Sequence, residues 1–241
     1  MGHRVTTLNV NTIEPAGNTL TIGASGDTVV LADDVKANTY KDAGGNTLFV
    51  SDGSGNLSSV NSGFGDSLKL LSTQTASNSA SLSFTSGIDS TYGEYIFKFI
   101  NIHPATDQWF GFQFNSPGYN QTMTTTSFSA YHKQNAGDPG VTYYTGQDLA
   151  QGTTYQYFAM GIGGGSDECG AGELHLFNPS STTYVKHFYG TCQYYLPHSS
   201  SDYTATSFVG GYVNTTSAIT AIDFKFVSGN FDGKIKMYGV A

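Results

Sequence analysis

Charge is scarce in this 241-residue chain, where Asp, Glu, Lys and Arg make up 12%, about half the share of an ordinary soluble domain. What charge there is leans acidic, 10 Lys and Arg against 18 Asp and Glu, for a formal net charge of −8. Phosphate backbones and anionic bilayers are gripped by clustered basic side chains, so neither nucleic acid nor a membrane is expected as a partner. Long apolar runs are missing too. No stretch of 18 apolar residues occurs, and the opening MGHRVTTLNV lacks the apolar centre of a secretory signal, so membrane spanning and Sec export are not expected. No window of about 12 residues repeats its apolar positions at a helical period. The six histidines, His3, His103, His132, His175, His187 and His198, form no His-x-His or His-Glu-x-x-His pattern, so the common metal signatures are absent.

Glycine is plentiful, with 30 residues, and aromatics reach 14%. Together with long Ser/Thr runs they point to many short strands and tight turns, an all-β chain with the low-charge surface of adhesive and fibrous proteins. The stretch Ser90–Asn115 holds the single tryptophan, Trp109. In it Tyr95, Phe97 and Phe99 recur at every second position and Ile96, Ile100 and Ile102 fill the alternate set. A strand apolar on both sets is buried on both faces or meets a second subunit. Past the turn signal His103-Pro104, residues Trp109, Phe110, Phe112 and Phe114 continue the pattern, and the two runs read as a hairpin. Further strands are expected at 68–73, 79–85, 122–132, 141–145, 154–161, 172–178, 183–190, 206–213, 219–227 and 233–240, separated by turn signals such as Asp138-Pro139-Gly140. Ile222, Phe224 and Phe226 alternate with Asp223 and Lys225, as Ile235 and Met237 do with Lys234 and Lys236. That is the signature of strands with one face on a core. The count and the turns predict a jelly-roll-type antiparallel β-sandwich over residues 65–241.

Residues 1–64 differ sharply. They hold three aromatics, Tyr40, Phe49 and Phe64, and the other thirty lie beyond. Short alternating pairs such as Leu8/Val10, Leu20/Ile22, Val29/Leu31 and Leu48/Val50 suggest strands with little to bury, too little to offset their own ordering entropy. An imperfect repeat runs through the segment, Gly17-Asn18-Thr19-Leu20-Thr21-Ile22 returning as Gly45-Asn46-Thr47-Leu48-Phe49-Val50. Thin repeated strand-turn-strand units predict an intertwined stem in which three chains share one interior. A flexible linker, the alternative, has no need of recurring Leu and β-branched residues.

Several runs carry a resemblance: Leu70-Leu71-Ser72-Thr73-Gln74-Thr75-Ala76, YIFKFINIHP from Tyr95 to Pro104, GELHLF from Gly172 to Phe177, Asn214-Thr215-Thr216-Ser217-Ala218, and FKFVSGNFDGKIKMYG from Phe224 to Gly239. With them the chain resembles a family of virion-associated proteins of tailed bacteriophages, similar to C-terminal domains of tail fibres and capsid fibres, over most of residues 66–241. The resemblance implies a homotrimer attached to other virion proteins through its N-terminal stem and carrying a distal β-sandwich head. It also implies a virion location after assembly in the bacterial cytoplasm. It brings no catalytic residues and no cofactor.

Candidate chemistry is sparse. Cys169 and Cys192 flank the expected hairpin 172–190, and pairing about a turn near Ser180 makes a disulfide geometrically reasonable. Two free thiols are the alternative in a protein assembled in a reducing cytoplasm. His175 and His187 fall on the two arms of that hairpin, where strand histidines are more ordinary than a metal pair. Asp107, Asp138, Asp167, Glu168 and Asp202 lie in turn-like segments, where carboxylates serve turns. A calcium site on Asp167 and Glu168, or a glycan-cleaving carboxylate pair, is the sharper alternative. Tyrosines crowd the second half beside Asn, Gln, Ser and Thr, and their apolar ring with a polar tip suits wet interfaces and sugar contacts. The polar loop Leu196–Thr206, with Tyr194, Tyr195, His198, Asp202 and Tyr203, is the expected surface-binding loop. The sequence thus predicts a non-enzymatic structural protein adhering to a host-surface glycan. The runner-up is a monomeric secreted lectin-like carbohydrate-binding module, and a glycan depolymerase is a third reading.

Overall fold

The computed structural model describes residues 37–58, 60, 61, 67–115 and 118–240. The chain divides into two units, Met1–Phe64 and Gly65–Ala241. Among the described residues there is no helix, and every strand pairing is antiparallel. The strands expected near Leu8, Leu20 and Val29, with the first copy of the repeat, lie outside the described residues.

In the first unit, β1 (Thr39–Lys41), β2 (Thr47–Ser51) and β3 (Leu57–Ser58) form a three-stranded meander. Its two turns use one device. The Asp42 carboxylate accepts from the backbone N–H of Asn46 at 2.8 Å and from its Nδ2 at 3.0 Å. Ten residues on, Asp52 accepts from the N–H of Asn56 at 3.1 Å and from its Nδ2 at 2.7 Å. Gly45 (φ +84°) and Gly55 (φ +89°) precede the two asparagines in left-handed conformations that favour glycine. Tyr40 stacks on its cross-strand partner Phe49 at 4.5 Å, yet no described residue of this unit is buried.

The second unit has two sheets. Its strands are β4 (Leu68–Ser79), β5 (Leu82–Phe84), β6 (Glu94–Pro104), β7 (Gln108–Phe114), β8 (Met123–Lys133), β9 (Gly140–Tyr143), β10 (Ala150–Gly152), β11 (Gln156–Ile162), β12 (Gly170–Phe177), β13 (Lys186–Leu196), β14 (Tyr203–Val213), β15 (Ile222–Phe226) and β16 (Phe231–Val240). The nine-stranded sheet runs β10-β8-β14-β13-β12-β6-β16-β4, with β9 also on β8, and the four-stranded sheet runs β11-β7-β15-β5. From β4 to β7 each strand lies in the sheet opposite its predecessor, and β11/β12 and β15/β16 cross in the same way. The inserted strands β8–β10 and β13–β14 widen only the large sheet.

The core between the sheets is aromatic. Phe99 from the large sheet meets Phe110, Phe158 and Phe224 of the small one at 5.5, 5.2 and 5.3 Å, and Phe112 meets Phe188 edge-on at 5.3 Å. Each fully buried ring contributes about 1.5–3 kcal/mol by removal from water, with about 0.5–1.5 kcal/mol more for a well-oriented pair.

Two sequence expectations need correction here. The runs 94–104 and 108–114 are not a hairpin: β6 and β7 belong to opposite sheets and share no ladder. Both aim their apolar sets into the same core, so the chain turns the corner of the sandwich at 105–107. The second correction concerns Ile102. Asn101 adopts φ +51° in a bulge beside Gly233 (φ +139°), where a Cβ would sit 2.7 Å from the Asn101 carbonyl oxygen. The bulge shifts the alternation by one residue. Ile102 therefore joins the core, while Ile96 and Ile100 stay on the outward face, Ile100 being 38% exposed.

Candidate functional site

The expected surface loop is the six-residue connection 197–202, shorter than the sequence suggested because β13 runs on to Leu196 and β14 begins at Tyr203. Four of its five candidates gather there. The Tyr195 hydroxyl donates to Asp202 at 2.5 Å, and Asp202 also accepts from the His198 N–H at 2.9 Å. The Tyr203 hydroxyl donates to Asp138 at 2.6 Å, with Lys133 3.5 Å from the same carboxylate and 5.2 Å above the Tyr203 ring. His198 meets Tyr203 edge-on at 5.4 Å. These bonds shift protons in opposite directions: the Tyr195 hydroxyl holds Asp202 below the usual carboxylate range, and Asp202 pushes Tyr195 up to about 12. The fifth candidate is elsewhere. Strand alternation turns Tyr194 inward, 1% exposed, where its oxygen accepts from Ser207 at 3.3 Å, so it is a core residue.

Cys169 and Cys192 are free thiols. The hairpin centre falls two residues later than expected, which places Gly170 opposite Tyr194 and Cys192 opposite Gly172. The Tyr195 N–H donates to the Cys169 carbonyl at 3.2 Å, so the two cysteines are offset by three register positions, about 10 Å along the strands, beyond the roughly 4.4–6.8 Å that a disulfide spans between Cα atoms. Cys192 is fully buried, and burial pushes its thiol up to about 12.

The other candidates are in structural use. His175 Nδ1 lies 2.6 Å from Glu94 and Nε2 lies 3.2 Å from Glu173, with the ring stacked on Tyr189 at 4.6 Å. Glu168 accepts from the Gly165 N–H at 2.7 Å and Asp107 from the Gly164 N–H at 2.9 Å, closing the Gly163-Gly164-Gly165 turn. Among the described residues no group of three or more His, Cys, Asp or Glu is arranged to hold a metal.

The outward face of the large sheet mixes exposed rings with charged side chains. One cross-strand row reads Leu70, Tyr238, Ile96, His175, Tyr189. The next carries Lys236, Lys98, Glu173 and Thr191, then Phe208, Phe128 and Tyr143. Phe128 and Phe208 stack at 4.9 Å with rings nearly parallel, yet remain 40% and 37% exposed. Tyr189 is 49% exposed.

The outward face of the small sheet is different, and sequence reasoning missed it. Lys225 of β15 lies opposite Gly111 of β7, which lies opposite Tyr157 of β11. One step along β7 stands Trp109, 36% exposed and edge-on to Tyr157 at 5.6 Å. One step the other way is Gln113, buried by the loops that fold over it, its amide Nε2 donating to the carbonyls of Gln121, Thr153 and Thr154. Beside it the Asp223 carboxylate, 3% exposed, accepts from Ser83 at 2.5 Å and from the Tyr155 hydroxyl at 2.8 Å. Burial and that bond raise the Tyr155 phenol above its usual range. The Lys225 ammonium sits 4.2 Å from the Tyr155 ring centre. The available signals were Asp223 and Lys225 on the outward set of β15 and Tyr155-x-Tyr157 at strand spacing, but only the sheet order brings them to Trp109. Compared with known protein families, curated proteins and solved structures, the chain has no match in any of the three.

Proposed function

We propose that this is a structural virion protein of a tailed bacteriophage, a fibre, tail fibre or capsid decoration, in which residues 1–64 serve as attaching stem and residues 65–241 as a jelly-roll head. The exposed rings on the outward face of the large sheet, Phe128, Phe208 and Tyr189, carry the reading. Exposed rings of this kind are what a subunit covers against its neighbours, and they support association into a homotrimer. The strand orders β4-β16-β6-β12 and β5-β15-β7-β11, with the chain crossing between the sheets from β4 to β7, between β11 and β12 and between β15 and β16, support the jelly-roll assignment. The absence of burial in the described part of the first unit supports a stem that completes its interior with other copies. Adhesion to a host-surface glycan falls to the surfaces that association leaves open.

Light scattering on the purified full chain is expected to give three times the chain mass, and antibody against the head is expected to decorate intact particles. A single-chain mass would favour a monomeric lectin-like module instead, a reading that the aromatic and polar outward face of the small sheet also fits.

A further inference from the structure

We infer that the outward face of the small sheet is a binding site for neutral, hydroxyl-rich pyranose chains, on the opposite side of the sandwich from the face assigned to association. A pyranose has two kinds of surface, a face of C–H bonds and a rim of hydroxyls that both donate and accept. The face needs a flat apolar partner held in place. Trp109, 36% exposed, supplies one, with the Tyr157 ring set edge-on against it at 5.6 Å. The rim needs donors and acceptors side by side. Lys225 supplies an ammonium with three donors, and no carboxylate lies within ion-pair distance of it among the described residues. Asp223, 3% exposed, works from behind: it accepts from Ser83 and Tyr155 and so orients those two hydroxyls, whose free lone pairs are the acceptors, at the rim.

Space is provided as well. On the Lys225 and Tyr155 side of that ring pair, which does not itself line it, a cavity of about 480 Å³ is lined by Ser83, Tyr119, Tyr155, Asp223, Lys225 and the 226–230 turn, within the roughly 300–1,000 Å³ range of small-ligand sites. Gly111 lets the Tyr157 ring and the Gln156 carbonyl close against β7 beside Lys225, since a Cβ there would sit 2.8 Å from that ring and 2.6 Å from that oxygen. The charge pattern favours a neutral chain. Asp223 stands two residues from Lys225 on the same strand face, so the site carries both signs on a chain of net charge −8, and a polyanion meets repulsion. A peptide adding as a strand would need an unpaired edge, whereas these residues lie on a face.

Trp109 is the one tryptophan, so emission from the full chain reports this site alone. Titration with soluble dextran, mannan and galactan is expected to give a saturable shift in emission with at least one of them, and none with the polyuronate alginate. Lys225→Gln and Asp223→Asn, both of which keep the tryptophan, are expected to weaken that response at least tenfold. Lys225 is partly exposed, so its variant tests the site even where Asp223→Asn fails to fold. The inference is overturned if none of the three neutral polymers shifts the emission, if alginate alone does, or if Lys225→Gln binds like the wild type. Light scattering reports association separately, so either result stands without the other.

Discussion

Single residues in this protein owe their chemistry to which side of a strand they occupy. Tyr194 and Tyr195 are adjacent and identical in type, yet one is core and the other bonds Asp202 at the surface. Cys192 shares Tyr194's inward phase, and its environment has a measurable consequence. An unfolded chain begins to release this proton near the ordinary thiol value of 9.0, whereas the native chain holds it to about 12. Between those values the unfolded state binds fewer protons, so stability falls as pH rises, by about 1.4 kcal/mol per pH unit at most. Below the ordinary value the contribution is fully present. Thermal melts from pH 7 to 11 should therefore hold level to about pH 9 and then decline. In Cys192→Ala the decline should begin about one unit later, where the tyrosines raised by burial, Tyr194 and Tyr155 among them, take over. An onset unmoved by the substitution would place the alkaline sensitivity elsewhere.

Turns and strands form the next scale, and here the repeated clasp of the first unit is the clearest device. Hydrogen bonds from Asn46 hold the Asp42 carboxyl below its ordinary 3.8, and those from Asn56 do the same for Asp52. A carboxylate lowered by folding stabilises above its ordinary value and loses that effect as pH falls through the native one. Amide protection at Asn46 and Asn56, corrected for intrinsic exchange, should therefore be intact at pH 5 and fade below about pH 3.8. Asp52→Ala should remove protection at Ser54 and Asn56, whose N–H groups donate to that carboxylate, and leave Asn46 as it was. Element positions were largely legible in the sequence because aromatic and β-branched residues alternate so strictly: the expected 122–132, 141–145 and 233–240 fall within two residues of β8, β9 and β16. Pairing was not legible. Nothing local distinguishes a hairpin from a chain that turns the corner between sheets, since Phe97 and Phe112 alternate identically in both. The phase shift at Asn101 was hidden for a related reason, because a left-handed asparagine depends on Gly233 far along the chain.

For the whole molecule, the two outward faces have opposite characters, and the candidate site was hard to foresee because it exists only once β7, β11 and β15 are neighbours. The large sheet offers rings with no hydroxyl to hydrate, Phe128 and Phe208, stacked toward one end of a row that begins with Lys236, Lys98 and Glu173. The small sheet offers rings bounded by Lys225, Asp223 and Gln108. Burial of the first face between copies binds native chains and not unfolded ones, so the melting temperature must then depend on concentration. For a trimer each tenfold increase is worth about 1 kcal/mol per chain, a rise of about 2–4 °C for a domain of this size. The double substitution Phe128→Ser, Phe208→Ser removes exposed rings rather than core, so the melt of the dilute protein should scarcely move while the concentration slope shrinks. A wild-type melt that stays fixed over a hundredfold range of concentration would leave the large sheet uncovered in solution, and would remove the physical reason for assigning the protein to a trimeric particle.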